Sequence, residues 1–395
     1  MKLHFTLLTL LLFNLLINAQ NSDCNCLTDL DFVISEVKNT PSFKSQINDE
    51  SYLNKYIDSL KLSIKNDSNI ELNCLAYLQK YLKIVKDNHL YISDNTDKDY
   101  SSFFPIEKNI DTIIEHSRNT ESDELVGIYS LLDLYKVAVV KDGDTNYKAI
   151  LLETSNDKWQ IGQTKFKLIK TLDGFEGVFY DGKQKPSYVK IEYKNGRLYP
   201  EQWIKEDNKS MYSFNPYTMD DETFEYKKLN EKTHYVRLGS FSGMTTNHNK
   251  AKQLLSTLES EILSGNVIID LRNNGGGGPR TSDLFKKIFK KNKASLNLYV
   301  IQNNYCGSDC EQFLMKLKEQ QKVISYGENT RGALAYGYGN YSSPSLITPC
   351  NEFSLGLTTA KYEKYLPYEV VGISPDVYLK NNENWIEQVL KVIEK

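Results

Sequence analysis

The segment Asn304-Tyr305-Cys306-Gly307-Ser308-Asp309-Cys310-Glu311 sets a serine where an extended run gives way, through a glycine turn, to a helix. The first turn of a helix carries unpaired N–H groups and partial positive charge. A serine there can attack a carbonyl carbon while the N–H of Asp309 takes the charge that develops on oxygen. The competing reading makes Ser308 an ordinary N-cap, with Glu311 three residues on completing a capping box. Upstream, Asp270-Leu271-Arg272-Asn273-Asn274 runs into four glycines, Gly275 to Gly278, and Pro279. Such a loop lets backbone approach a ligand closely. Gly276 is the candidate for a second oxyanion donor, although a plain flexible turn would use the same residues. The spacing does not match the Gly-Lys-Ser phosphate cradle.

A serine nucleophile needs a base, and the chain has five histidines. His4 falls in the N-terminal leader, His116 in a helical stretch, His234 in a strand and His248 in a polar loop. His89 follows an amphipathic helix, in the turn Asp87-Asn88-His89.

The elements that must position these groups fall into three regions. Residues 21–122 read as helical: Leu75, Leu78, Leu82 and Val85 recur at helical spacing, and Leu90-Tyr91-Ile92 follows as a short extended run. A polar, mobile loop is expected from Ser93 to Ser102. Residues 123–228 hold short β-type runs beginning at Tyr135, Tyr147, Phe166 and Tyr188, separated by turns such as Asp142-Gly143-Asp144 and Asn195-Gly196. They predict a small antiparallel barrel or sandwich serving as a spacer or a substrate-positioning unit. Residues 229–395 alternate strand and helix, which predicts an α/β core with crossover connections. Strands are expected at His234–Leu238, Val267–Leu271, Leu296–Ile301 and Val323–Tyr326. Helices are expected around Ala251–Ile262, Leu284–Phe289 and Asp309–Glu319.

Four motifs occur in order: the Asp270–Gly278 segment, Ser308–Glu311, Gly327-Glu328-Asn329-Thr330-Arg331-Gly332, and Gly372-Ile373-Ser374-Pro375-Asp376. Together they resemble the C-terminal processing (tail-specific) serine proteases, a group that includes the tricorn core and the retinoid-binding protein of the eye. The resemblance covers residues ~229–380 and, locally, the Asp87–His89 turn. It implies an α/β fold with a crotonase-like β/α protease core, here joined to an N-terminal helical region and a small antiparallel β domain. Many bacterial members use a Ser–Lys dyad, with the lysine directly after the glycine that closes the second glycine motif. That position is Ala333, and the neighbouring Arg331 cannot act as a base because guanidinium stays protonated. The tricorn-like branch uses an upstream His and a downstream Glu. Carried over, this implies Ser308 as nucleophile, His89 as general base and acid, and Glu369 as the group that orients or supports them; Gly276 and Asp309, read from the residues themselves, complete the expected site as its oxyanion hole. A triad is defined by geometry, so the chain order is no objection. Many relatives carry a PDZ module in the middle; residues 123–228 lack its Gly-Leu-Gly-type loop. The resemblance thus implies a serine endopeptidase acting on a peptide or protein substrate, needing no metal or cofactor. The alternative is a non-catalytic ligand- or protein-binding member of the same fold.

Compartment and partners follow from composition. Lys2, the Leu-rich run to Ile17 and the small residue Ala19 read as a secretory signal peptide over residues 1–20. Its apolar core is shorter than the ~20 residues of a spanning helix. No membrane span is expected in the mature chain, which should be periplasmic or secreted. With 48 Lys+Arg against 51 Asp+Glu, a net charge of -3 and only six Arg, charge-driven nucleic-acid binding is excluded. The six cysteines suit an exported, disulfide-bearing chain. The simplest pairing joins Cys74 to Cys24 or Cys26 and Cys350 to Cys306 or Cys310, leaving two over. A cysteine metal site is disfavoured because no His lies near either group. The basic run Lys286–Lys293 reads as a solvated helix face. The stretch Tyr336–Tyr341 reads equally as a cleft lining or a glycine-punctuated loop. The oligomeric state is left open.

Overall fold

The computed structural model describes residues 24–120, 123–206, 223–261, 264–339 and 345–395. The leader, Ile262, Asn340 and Tyr341 lie outside the described residues.

Four helices open the described chain: Cys26–Val37, Pro41–Gln46, Glu50–Asn66 and Ile70–Leu82. Capping defines three of their starts. Asn25, Thr40 and Asp49 each accept backbone N–H groups with their side chains, and Pro41 takes the first helical position. Leu30, Val33, Leu53, Leu60, Leu78 and Leu82 pack between the helices. Each such buried side chain contributes ~1.5–3 kcal/mol, against under ~1 kcal/mol for a surface pair such as Lys61–Asp31. Packing therefore holds this region together. The same cluster takes in Leu90, Ile92, Phe353 and Leu355. Tyr91–Asp94 pairs antiparallel with Phe353–Gly356, which in turn pairs with Ser345–Ile347. The helical region is thus stitched to the far end of the chain directly after His89.

Strands from Gly127–Leu131 to Trp203–Lys205 close into an eight-stranded antiparallel barrel. Alternating inward residues, including Val137, Val139, Ala149, Leu151, Phe166 and Trp203, fill its interior.

The C-terminal part is built on a six-stranded sheet. Its order is Phe224–Lys228, Thr233–Leu238, Gly265–Asp270, Leu296–Gln302, Val323–Gly327 and Val377–Tyr378. The first pair is antiparallel and the others are parallel. Period-two alternation sorts the side chains to two faces. Val267, Ile269, Leu298 and Val300 meet the crossover helices Thr245–Glu261, Pro279–Lys291 and Asp309–Gln320. Ile268 and Ile301 meet Trp385 and Val389 of the last helix. Lys286 departs from the solvated reading of its run: it is buried and pairs with Asp283.

The cysteine pairing corrects the simplest expectation. Cys26–Cys74 forms, but Cys350 pairs with Cys24, and Cys306 pairs with Cys310, so no cysteine is free among the described residues. Sequence proximity misled because the helical region folds back onto the strands around Phe353.

Candidate active site

The nucleophile side is built almost wholly from neighbours. Strand Leu296–Gln302 ends, Asn303 and Asn304 turn the chain, and Ser308 precedes the helix Asp309–Gln320. Ser308 is left-handed at φ 57°, ψ −123°, a conformation costing of order 1–3 kcal/mol for a non-glycine residue. The structure holds it there from several sides. The Ser308 N–H donates to Glu311 Oε2 (3.0 Å), the Gly307 N–H donates to the Asn274 carbonyl (3.0 Å), and Cys306 and Cys310 are joined across it. Glu311 is fully buried and accepts from the Thr330 hydroxyl, the Gly332 N–H (2.7 Å) and the Ala333 N–H (2.8 Å) as well. Burial pushes its carboxyl up to about 7, while these donors hold it back.

The glycine loop is fixed by the residues before it. Buried Asp270 receives Arg272 Nη2 (2.6 Å), the Arg272 N–H (3.0 Å) and the Tyr235 hydroxyl (2.9 Å). Asn303 exchanges hydrogen bonds with Asn273. The Gly276 N–H donates to Asn274 Oδ1 at 2.9 Å. That N–H thus has an acceptor inside the loop. At φ +96°, a Cβ on Gly276 would lie 2.8 Å from Ser308 Cβ and 2.9 Å from the Asp309 nitrogen. Its missing side chain keeps open the space in front of the Asp309 N–H. That N–H begins the helix and has no intrahelical acceptor.

The base side is held by contacts from far along the chain. His89 Nε2 lies 2.9 Å from Ser308 Oγ. The His89 N–H donates to Asp87 Oδ1 (3.0 Å), and Asp87 Oδ2 accepts from the Thr358 hydroxyl (2.7 Å). The Tyr338 hydroxyl donates to the His89 carbonyl (2.5 Å), and its ring meets the imidazole edge-on at 5.7 Å. Burial holds the imidazole below the usual histidine range; Asp87 opposes this and Arg331 adds to it. Burial thus favours the neutral ring, the form a general base requires.

Glu369 supports the site without touching the imidazole. Its carboxylate accepts from the N–H groups of Asn88 (2.9 Å), Leu334 (3.0 Å) and Ala335 (2.8 Å). His89 Nδ1 is buried and has no hydrogen-bond partner among the described residues. Glu311 and Glu369 thus clamp one strap, residues 330–335, from two ends. One carboxylate also binds the nucleophile's N–H, and the other binds the N–H next to the base. Ala333 is buried within this strap.

Sequence reasoning named Ser308, His89, Glu369, Gly276 and Asp309, and all five lie at this one site. It missed Asn274, Thr330, Tyr338 and Thr358, and saw Glu311 only as a cap. Tyr338 carried a weak signal as part of the aromatic stretch; Thr358 carried none. Tyr338 meets His89, whereas the Tyr336 hydroxyl meets Ser45 (3.2 Å) and Gln46 (3.1 Å).

No family model and no curated protein matches the chain. Solved structures do resemble it. A photosystem II D1 C-terminal processing protease is 14% identical, over 95% of this chain and 98% of that one, with a TM-score of 0.40. Mature CPAF is 11% identical, over 94% and 96%, with a TM-score of 0.44. A lipoprotein from Streptococcus agalactiae is 17% identical, over 45% and 71%, with a TM-score of 0.31. At these values the likeness says nothing of activity, and function has to be read from the site.

Proposed function

We propose that this protein is an exported serine endopeptidase of the C-terminal processing kind that works through an acyl-enzyme on Ser308. The observation that carries the reading is the 2.9 Å approach of His89 Nε2 to Ser308 Oγ at the start of a helix. Neutral His89 accepts the hydroxyl proton as Oγ attacks the scissile carbonyl. The Asp309 N–H takes the oxyanion, a donor typically worth about 3–4 kcal/mol in the transition state. His89 then gives its proton to the leaving amine, and water, activated by the same ring, releases the acyl group. Glu369 is a positioning residue that fixes the turn bearing the base. Export is supported by the leader and by three disulfides that consume all six cysteines.

The second reading is a ligand- or protein-binding member of the same fold. Two observations favour it: the Gly276 N–H is engaged within its own loop, and His89 Nδ1 has no hydrogen-bond partner among the described residues. Turnover of a fluorogenic peptide set by wild type and Ser308→Ala separates the two. Hydrolysis by wild type alone, with matched folding, supports the peptidase; equal rates from both proteins overturn it.

A further inference from the structure

The charges around the site are unevenly used. Four of the carboxylates around it are turned inward and engaged; Asp309 Oδ2 is buried with no hydrogen-bond partner among the described residues, and burial pushes that carboxyl up toward the neutral acid. Asp87 holds the His89 N–H and the Thr358 hydroxyl, and Glu311 and Glu369 hold the strap. Glu328 receives the Asn304 N–H (3.2 Å), the Tyr199 hydroxyl (3.0 Å) and Arg197 (3.4 Å). The cations are not used in this way. Arg331 is exposed, and its N–H donates to the Cys306 carbonyl (2.9 Å). Its side chain lies along the nucleophile turn: a Cβ on Gly307 would meet Arg331 Cδ at 3.1 Å and Cβ at 3.4 Å. Burial disfavours the charged forms of His89 and of Lys83, which follows the helix Ile70–Leu82, and the Arg331 charge adds to this at both. Among the described residues neither Arg331 nor Lys83 enters an ion pair. Glu201 is another carboxyl that feels Arg331, but it forms no ion pair with it, and burial pushes it toward the neutral acid. The helix start at Asp309 adds partial positive charge to the same side.

Resting on the peptidase reading above, we propose that Arg331 is a specificity residue that selects a substrate with an acidic side chain within a residue or two of the scissile bond. Arg331 packs on the residue just before the nucleophile, so a carboxylate it grips must sit close to the bond under attack. A planar guanidinium can hold such a carboxylate through two parallel N–H donors. The exposed Arg331 guanidinium also rejects basic side chains at the same position.

The test uses end-capped peptides, identical except for Glu, Gln or Lys at each position flanking the cut. For wild type, kcat/KM for the best Glu peptide should exceed that of its Gln twin by roughly tenfold or more, the range of a charge-assisted hydrogen bond. Arg331→Gln should bring the ratio near one, Arg331→Lys should keep part of it, and Arg331→Glu should turn preference toward Lys. The same peptides are measured for binding to Ser308→Ala by fluorescence anisotropy. A Glu-over-Gln ratio near one in both turnover and binding overturns this proposal while leaving the peptidase reading intact. So does a preference that appears only when the C-terminal cap is removed. Arg331-dependent preference in binding, with no turnover of any peptide by wild type, sinks the peptidase reading and keeps the acidic ligand.

Discussion

The two halves of the catalytic pair are held by different means. Ser308 sits on a strand–turn–helix unit whose partners Cys306, Cys310 and Glu311 lie within three residues, with Asn274 supplied by the neighbouring strand's loop. His89 sits on a turn whose fixing groups are Glu369, Thr358 and Tyr338, all about 250 residues or more away. The nucleophile is therefore strained but locally braced, whereas the base is unstrained and depends on tertiary closure. Damage on the first side should be felt in chemistry with modest loss of stability. Damage on the second should lower both together.

The largest effect is expected from removing either member of the pair. Ser308→Ala and His89→Ala should each cut turnover by about 10⁴-fold or more, with far-UV circular dichroism unchanged. Gly276→Ala comes next. Its Cβ would occupy the space before the Asp309 N–H, and loss of one oxyanion donor costs about 10²–10³-fold in kcat. A steady-state measurement showing KM little changed would place the loss in the transition state.

The disulfides sharpen the contrast. Cys24–Cys350 closes a separation of 326 residues and Cys306–Cys310 one of 4. Loop entropy predicts stabilisation of roughly 6 kcal/mol for the first and roughly 2 kcal/mol for the second. Paired Cys→Ala variants followed by urea unfolding should rank in that order. The short-loop pair should nevertheless lose more activity per unit of stability, because it brackets Ser308. Glu369→Gln is a smaller lesion. An amide turned toward N–H donors leaves a buried group unsatisfied, which costs about 1–3 kcal/mol. Stability and kcat should fall together, since Asn88 and the strap lose a shared anchor.

The smallest effect is on pH. His89 must be neutral to accept the proton, and burial lowers its pKa. The acid limb of kcat/KM should therefore lie below the usual histidine value of about 6.5, with activity present above it and lost as pH falls through it. Arg331→Gln removes a cation that disfavours imidazolium, so it should move that limb upward.

The same contrast explains what could be read in the sequence. The nucleophile turn, the glycine loop and the strand–helix alternation are local patterns, and each appears in the structure near the expected residues. The closure onto His89 is not local. Nothing around Thr358 or Phe353 signals that these residues pair with the segment after His89, and nothing in the spacing of the cysteines points to Cys24–Cys350. Glu369 could be named from the resemblance, but not its mode of action. It binds backbone N–H groups, which carry no sequence signature. Gly276 was legible as a glycine needed at close quarters. Its N–H turned out to be engaged because Asn274, two residues earlier, closes an Asx turn on it.

The pairing of Ser308 with His89 is tested by covalent labelling with a serine-directed phosphonate, the adduct mapped by peptide mass. An adduct is expected on Ser308 in wild type and none in Ser308→Ala, with a labelling rate at least about 10²-fold lower in His89→Ala, the minimum expected for loss of a general base. Labelling of His89→Ala at the wild-type rate, or an adduct on another serine, would contradict that pairing.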